Sequence, residues 1–193
     1  MHFLTALLAT VAVTLGTASA QQVFTVNPFH ATDKTSGVRD DLSNPYKESH
    51  CIDFNVSRPA AVPQQGGDGQ FYCRVEWDGC HPKTCYTPCT STGVGIGNSE
   101  YWARVNPTAG WKGKTADDIS VDLLQYYSYR NSVVQNGTFF LKNQETGSYA
   151  CEKSYDQGTE TEYCTLRANE SFDVDVGLVG YGIYPVSDVV EIC

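Results

Sequence analysis

The chain has 193 residues and a formal net charge of −9, with 22 acidic side chains against 13 basic ones. That balance disfavours nucleic acid, whose phosphates require a basic surface, and it disfavours adhesion to anionic lipid. The acidity bears on solubility and leaves the partner open.

Residues 1–20 read as an export signal. Met1-His2 is a short leading region, Phe3 to Gly16 is almost wholly apolar or small, and Ala18-Ser19-Ala20 offers small side chains to a signal peptidase. Gln21 is then the mature N-terminus. No later stretch approaches the ~20 apolar residues of a membrane-spanning helix. Residues 21–193 suffice for one domain with a substantial core.

Beyond the leader, period-two alternation dominates. The polar run from His30 to His50 reads as a long loop. Ile52, Phe54 and Val56 share one face of a strand, with Asp53 and Asn55 on the other. Gln64 to Gly69 is a flexible connection into a second strand, where Phe71, Cys73, Val75 and Trp77 alternate with Tyr72, Arg74 and Glu76. Asn106-Pro107 and Ala109-Gly110 punctuate the middle. Ile119, Val121, Leu123 and Tyr127 fall on one parity, and the tyrosines around them favour a strand over a short helix. Asn136-Gly137 is a strong turn dipeptide. Phe172, Val174, Val176 and Leu178 alternate, then Val179, Tyr181 and Ile183 continue on the shifted parity, which predicts a β-bulge near Gly177 and Gly180. Short strands between such turns define an all-β fold, a single antiparallel barrel or sandwich.

The mature part holds eight cysteines: Cys51, Cys73, Cys80, Cys85, Cys89, Cys151, Cys164 and Cys193. In an exported chain this even number predicts four disulfides, with about 105 pairings open from spacing alone. A zinc site at Cys80 to Cys85 is disfavoured, because no C-x-x-C pair is present and oxidation competes with ligation. Three sequons, at Asn55, Asn136 and Asn169, predict exposed asparagines open to glycosylation.

Distinctive catalytic groups are scarce. The mature histidines are His30, His50 and His81; no G-x-S-x-G elbow accompanies them, and His50 and His81 read as loop residues. Asp117 and Asp118 are adjacent, so on a strand they face opposite ways. Asp173 and Asp175 belong to a solvated strand face. Gly93, Gly95 and Gly97 are spaced among Val and Ile as in a strand and make no phosphate loop. These residues predict no catalytic centre, no metal and no cofactor. Aromatic side chains are the better lead: Tyr101, Trp102, Trp111 and Tyr126 are the candidate binding surface, with Trp77 and Tyr127 assigned to the core.

The order of strands and cysteines resembles a known family. Val23 to Phe29, a polar loop, Cys51-Ile52-Asp53-Phe54-Asn55-Val56, Phe71-Tyr72-Cys73-Arg74-Val75-Glu76-Trp77, Pro88-Cys89, Asp117 to Val121 and Cys151 to Cys164 are similar to the fungal family of the major Alternaria allergen. The resemblance implies a secreted β-barrel, with Cys73 joined to Cys89 and Cys151 to Cys164. It also implies a role as effector, elicitor or allergen in virulence, located in the host apoplast or fungal wall. The expected partner is a host extracellular protein or a small phenolic ligand, bound without catalysis. Cys80 and Cys85 depart from the pattern and pair most simply with each other, which leaves Cys51 for Cys193. No cysteine before Cys51 matches the one that links subunits in the family, so a covalent dimer is not expected. The alternative reading is a small extracellular hydrolase or enzyme inhibitor on the same scaffold.

Overall fold

The computed structural model describes residues 23–37, 42–43, 45–58, 69–79, 82–92, 98–106, 116, 118–129, 131–143, 147–168, 170–182 and 190–193. The export signal at residues 1–20, Cys80, His81, Gly93 to Gly97, Trp111, Asp117 and Asn169 lie outside them.

Every regular element among the described residues is a strand: β1 (Val23–Ser36), β2 (Lys47–Ser57), β3 (Gln70–Asp78), β4 (Thr87–Pro88), β5 (Thr90–Ser91), β6 (Asn98–Val105), β7 (Asp118–Tyr129), β8 (Asn131–Lys142), β9 (Tyr149–Asp156), β10 (Thr159–Leu166), β11 (Phe172–Asp175) and β12 (Gly177–Tyr181). Seven form one sheet in the order β5-β3-β2-β1-β10-β9, with β11 also paired to β1. Five form a second in the order β12-β8-β7-β6-β4. All strand pairs are antiparallel. Among the described residues, neither sheet closes on itself.

The alternation read from β2 and β3 is the burial observed. Ile52, Phe54, Val56, Phe71, Cys73, Val75 and Trp77 are all buried. They meet Tyr101, Ala103, Ile119, Val121, Leu123 and Phe139 of the second sheet in one shared core. Phe29, Phe54 and Phe139 form its aromatic centre, with edge-to-face contacts at 5.8 and 5.9 Å. A smaller cluster lies on the opposite face of the second sheet. There Tyr86, Trp102, Leu124 and Val134 are covered by Val190 and Ile192 from the chain end.

Three sequence expectations give way. The polar run from His30 to His50 is largely strand: β1 continues to Ser36 and pairs with β2 from Lys47. Its polarity reflects outward positions such as Thr32 and Lys34, while Ala31 and Asp33 point inward. In β1 the register shifts between Val26 and Phe29, where the Asn27–Pro28 bond is cis, so burial passes from Phe24 and Val26 to Phe29 and Ala31. Asn136-Gly137 is no turn; both residues lie mid-strand, opposite Leu124 and Leu123. Glycine is needed there for closeness, since a Cβ on Gly137 would stand 2.8 Å from the Asp175 carbonyl oxygen and 2.8 Å from Val174 Cγ1. Asp175 ends β11 and Gly177 begins β12, so the chain crosses there from the first sheet to the second. A register shift between Leu178 and Gly180 follows, at the bulge expected from the parity change.

The third correction concerns the cysteines. Cys73–Cys89 and Cys151–Cys164 are bridged, the second pair directly opposite each other on β9 and β10. Cys85, however, is joined to Cys193 and not to Cys80. Backbone hydrogen bonds explain the choice, because Tyr86 N donates to Glu191 O and Cys193 N to Tyr86 O, holding the chain end beside Cys85. Cys51 keeps a free thiol instead of meeting Cys193. Three disulfides are compatible with an extracellular protein.

Candidate functional site

Alternation leaves the outer face of β1, β2 and β3 polar, and the side chains there border an open groove of 560 Å3. Lys34, Arg74 and Lys83 supply positive charge, and Asp53, Glu76 and Asp78 negative charge, around Thr32, Ser49 and Cys51. Arg74 and Glu76 form an exposed ion pair, which holds the guanidinium in its charged form. Burial pushes the Cys51 thiol up, so it is a poor nucleophile near neutral pH. A second depression of 630 Å3 shares Lys34, Ser49 and Asp78 with the groove and extends it toward Tyr46 and Thr159.

Beneath the groove, His50 departs from the sequence reading. It lies inside β2, 4% exposed, and is no loop residue. Its Nδ1 is 2.6 Å from Asp33 Oδ1, and its ring stacks on Trp77 at 5.0 Å. The other Asp33 oxygen accepts the backbone N–H of Ala116, whose carbonyl in turn accepts Tyr149 Oη at 2.6 Å. Burial opposes a charge on His50, but the Asp33 hydrogen bond and charge, aided by Glu48 and the Gly79 backbone, raise its pKa above 6.5. Nε2 of His50 and Nε1 of Trp77 are buried without hydrogen-bond partners.

Of the four aromatics chosen from sequence, Trp111 lies outside the described residues, and Tyr101, Trp102 and Tyr126 do not make one surface. Tyr101 is 1% exposed, with its ring 4.5 Å from that of Phe71 in the shared core. Trp102 points the other way and is buried under the chain end. Tyr126 packs half-buried beside that same small cluster. Adjacent strand residues face opposite layers, and both layers here are covered. Large hydrophobic side chains that are exposed include Phe140, Leu178 and Tyr155.

Of the sequon asparagines, Asn136 is exposed and Asn55 partly so. Cys151, Glu162 and Cys164 place donor atoms within 4.8 Å of one another, but the two sulfurs are bonded together and offer no thiolate to a metal. Among the described residues no helix is long and apolar enough to cross a membrane. No family model, no curated protein and no solved structure matches the chain.

Proposed function

We propose that the chain is an exported, non-enzymatic binding protein of the effector or elicitor class, with an extracellular host protein as its partner. The two sheets, facing each other across one core, are read here as a sandwich. The groove over β1, β2 and β3 carries the functional reading. Five of its six charges, of both signs, stand on strands, with Lys83 on the segment between β3 and β4, and such an arrangement sets register and rejects wrong partners through charge complementarity. A polar rim of this type suits a macromolecular surface better than a small apolar ligand, which calls for an enclosed apolar cleft. The test is capture from plant apoplastic fluid by the immobilised, oxidised chain, set against a Lys34→Glu, Arg74→Glu, Lys83→Glu variant. Retention by the native chain and its loss in the variant are expected; equal retention by both removes the groove from the reading.

The hydrolase alternative draws on the Asp33–His50 pair, which has the form of a base and its orienting carboxylate. Its Nε2 is buried, so a substrate would reach it only after the residues around it move. Turnover of an ester or peptide panel that His50→Gln abolishes would favour it.

A further inference from the structure

Arg58 follows β2 and turns its side chain into the protein, where it is 8% exposed. The chain carries a large excess of carboxylates, yet none described pairs with this guanidinium. Among the described residues it has two partners: Oε1 of Gln125 at a long 3.4 Å, and the face of Tyr127 at 5.1 Å from the ring centroid. A buried cation so weakly compensated is costly, and proteins ordinarily pair it.

A second observation comes from the strands beside it. Nε2 of Gln125, Oη of Tyr101 and Oγ of Ser99 are all buried without a hydrogen-bond partner. In the β6–β7 register Tyr101 lies opposite Gln125 and Ser99 opposite Tyr127, so these side chains occupy neighbouring rungs on the inner face. Burial raises the Tyr101 phenol well above its usual pKa and keeps it protonated, with Arg58 and Tyr127 as its nearby electrostatic neighbours. Each of the three orphan groups can donate a hydrogen bond. One fixed positive charge and three idle donors at one end of the core describe the complement of an oxyanion.

We propose that Arg58, Gln125, Tyr101 and Ser99 form an enclosed site for the carboxylate of a small organic acid. A carboxylate matches the planar guanidinium fork, and its single charge neutralises Arg58. A phosphate dianion would leave one charge uncompensated among Tyr101, Tyr127 and the Phe71 ring. This site is separate from the polar groove, lies on the opposite side of the first sheet, and does not depend on the groove's partner.

The test uses the oxidised chain from Gln21 to Cys193. Thermal unfolding and titration calorimetry are run with acetate, benzoate, phosphate and chloride at constant ionic strength. Saturable binding and a concentration-dependent rise in melting temperature with acetate or benzoate are expected. Arg58→Lys, which keeps the charge but loses the fork, should weaken that binding about tenfold. Gln125→Glu supplies an internal carboxylate to Arg58; it should raise the melting temperature and abolish the response to added acid. This second variant keeps the test decisive even if substitution of Arg58 impairs folding. No saturable response to either carboxylate overturns the proposal, as does an unchanged response in Gln125→Glu. A response to phosphate or chloride alone overturns the assignment of a carboxylate.

Discussion

Asp33 and His50 sit directly opposite each other on β1 and β2, and the carboxylate holds the imidazole Nδ1 at 2.6 Å inside the core. Since the folded pKa of His50 is raised above 6.5, the charged pair favours the folded state fully below that value. The contribution is lost as pH rises through the folded pKa. The stability difference between the native chain and His50→Gln should therefore be largest below pH 6.5, at about 1–3 kcal/mol, and shrink above it. Urea titrations across this range measure it. A difference that grows with pH would show His50 to be held neutral instead.

At Gly137 the two sheets approach through backbone atoms. Gly137→Ala should cost about 1–3 kcal/mol, because its Cβ meets the Asp175 carbonyl, which a side-chain rotation cannot move aside. Gly180→Ala is the matched control, with nothing within 4 Å of the added carbon, and should stay within about 0.5 kcal/mol of the native chain. Equal effects in the two variants would remove the argument from close approach.

The strands of the first sheet were legible because a single wet face enforces a clean alternation. Ile52, Phe54 and Val56 show it, as do Phe71, Val75 and Trp77. In β7 both faces are buried: Ser120 and Asp122 keep a polar alternation although they are buried, and Leu124 alone breaks it, so the second cluster stayed hidden. Asn136-Gly137 misled because the local preference of a dipeptide yields to a tertiary contact with Val174 and Asp175. His50 was misread for want of Asp33, whose place opposite it depends on the register of two long strands. The only local signal was parity: His50 is in phase with Ile52 and Phe54. Arg58 gave none, since its distance from the described carboxylates is a property of the folded chain.

The bridge between Cys85 and Cys193 spans 108 residues and pins the chain end over Trp102 and Leu124. Replacing both cysteines by serine should cost about 2–4 kcal/mol. The loss should be local at first: Trp102 becomes open to acrylamide quenching while the shared core still melts cooperatively. Disulfide mapping of the native chain should return a Cys85–Cys193 peptide. A Cys80–Cys85 peptide in its place would overturn this path for the chain end.

Asp122, itself buried, forms a half-buried ion pair with Arg104 on the outer face of the second sheet. Arg104 reaches Asp122 Oδ2 through Nε at 3.0 Å and a terminal nitrogen at 2.9 Å, while Asn106 Nδ2 and Thr138 Oγ1 donate to Oδ1 at 3.0 and 2.6 Å. The same guanidinium donates to the Thr84 carbonyl at 3.0 Å and lies 4.5 Å from the Tyr86 ring centroid, tying β6 to the segment that carries Cys85. Asp122→Ala removes the acceptor of three hydrogen bonds and the partner of the ion pair, and leaves Arg104 one-third exposed beside an apolar cluster, so it should cost about 2–3 kcal/mol. Arg104→Ala should cost less, because Asn106 and Thr138 still satisfy the carboxylate. A double-mutant cycle between the two should give a coupling of about 1–3 kcal/mol, read from urea midpoints at fixed slope. Additive costs would mean that the carboxylate is held by its neutral donors and that Arg104 serves the Cys85 segment alone.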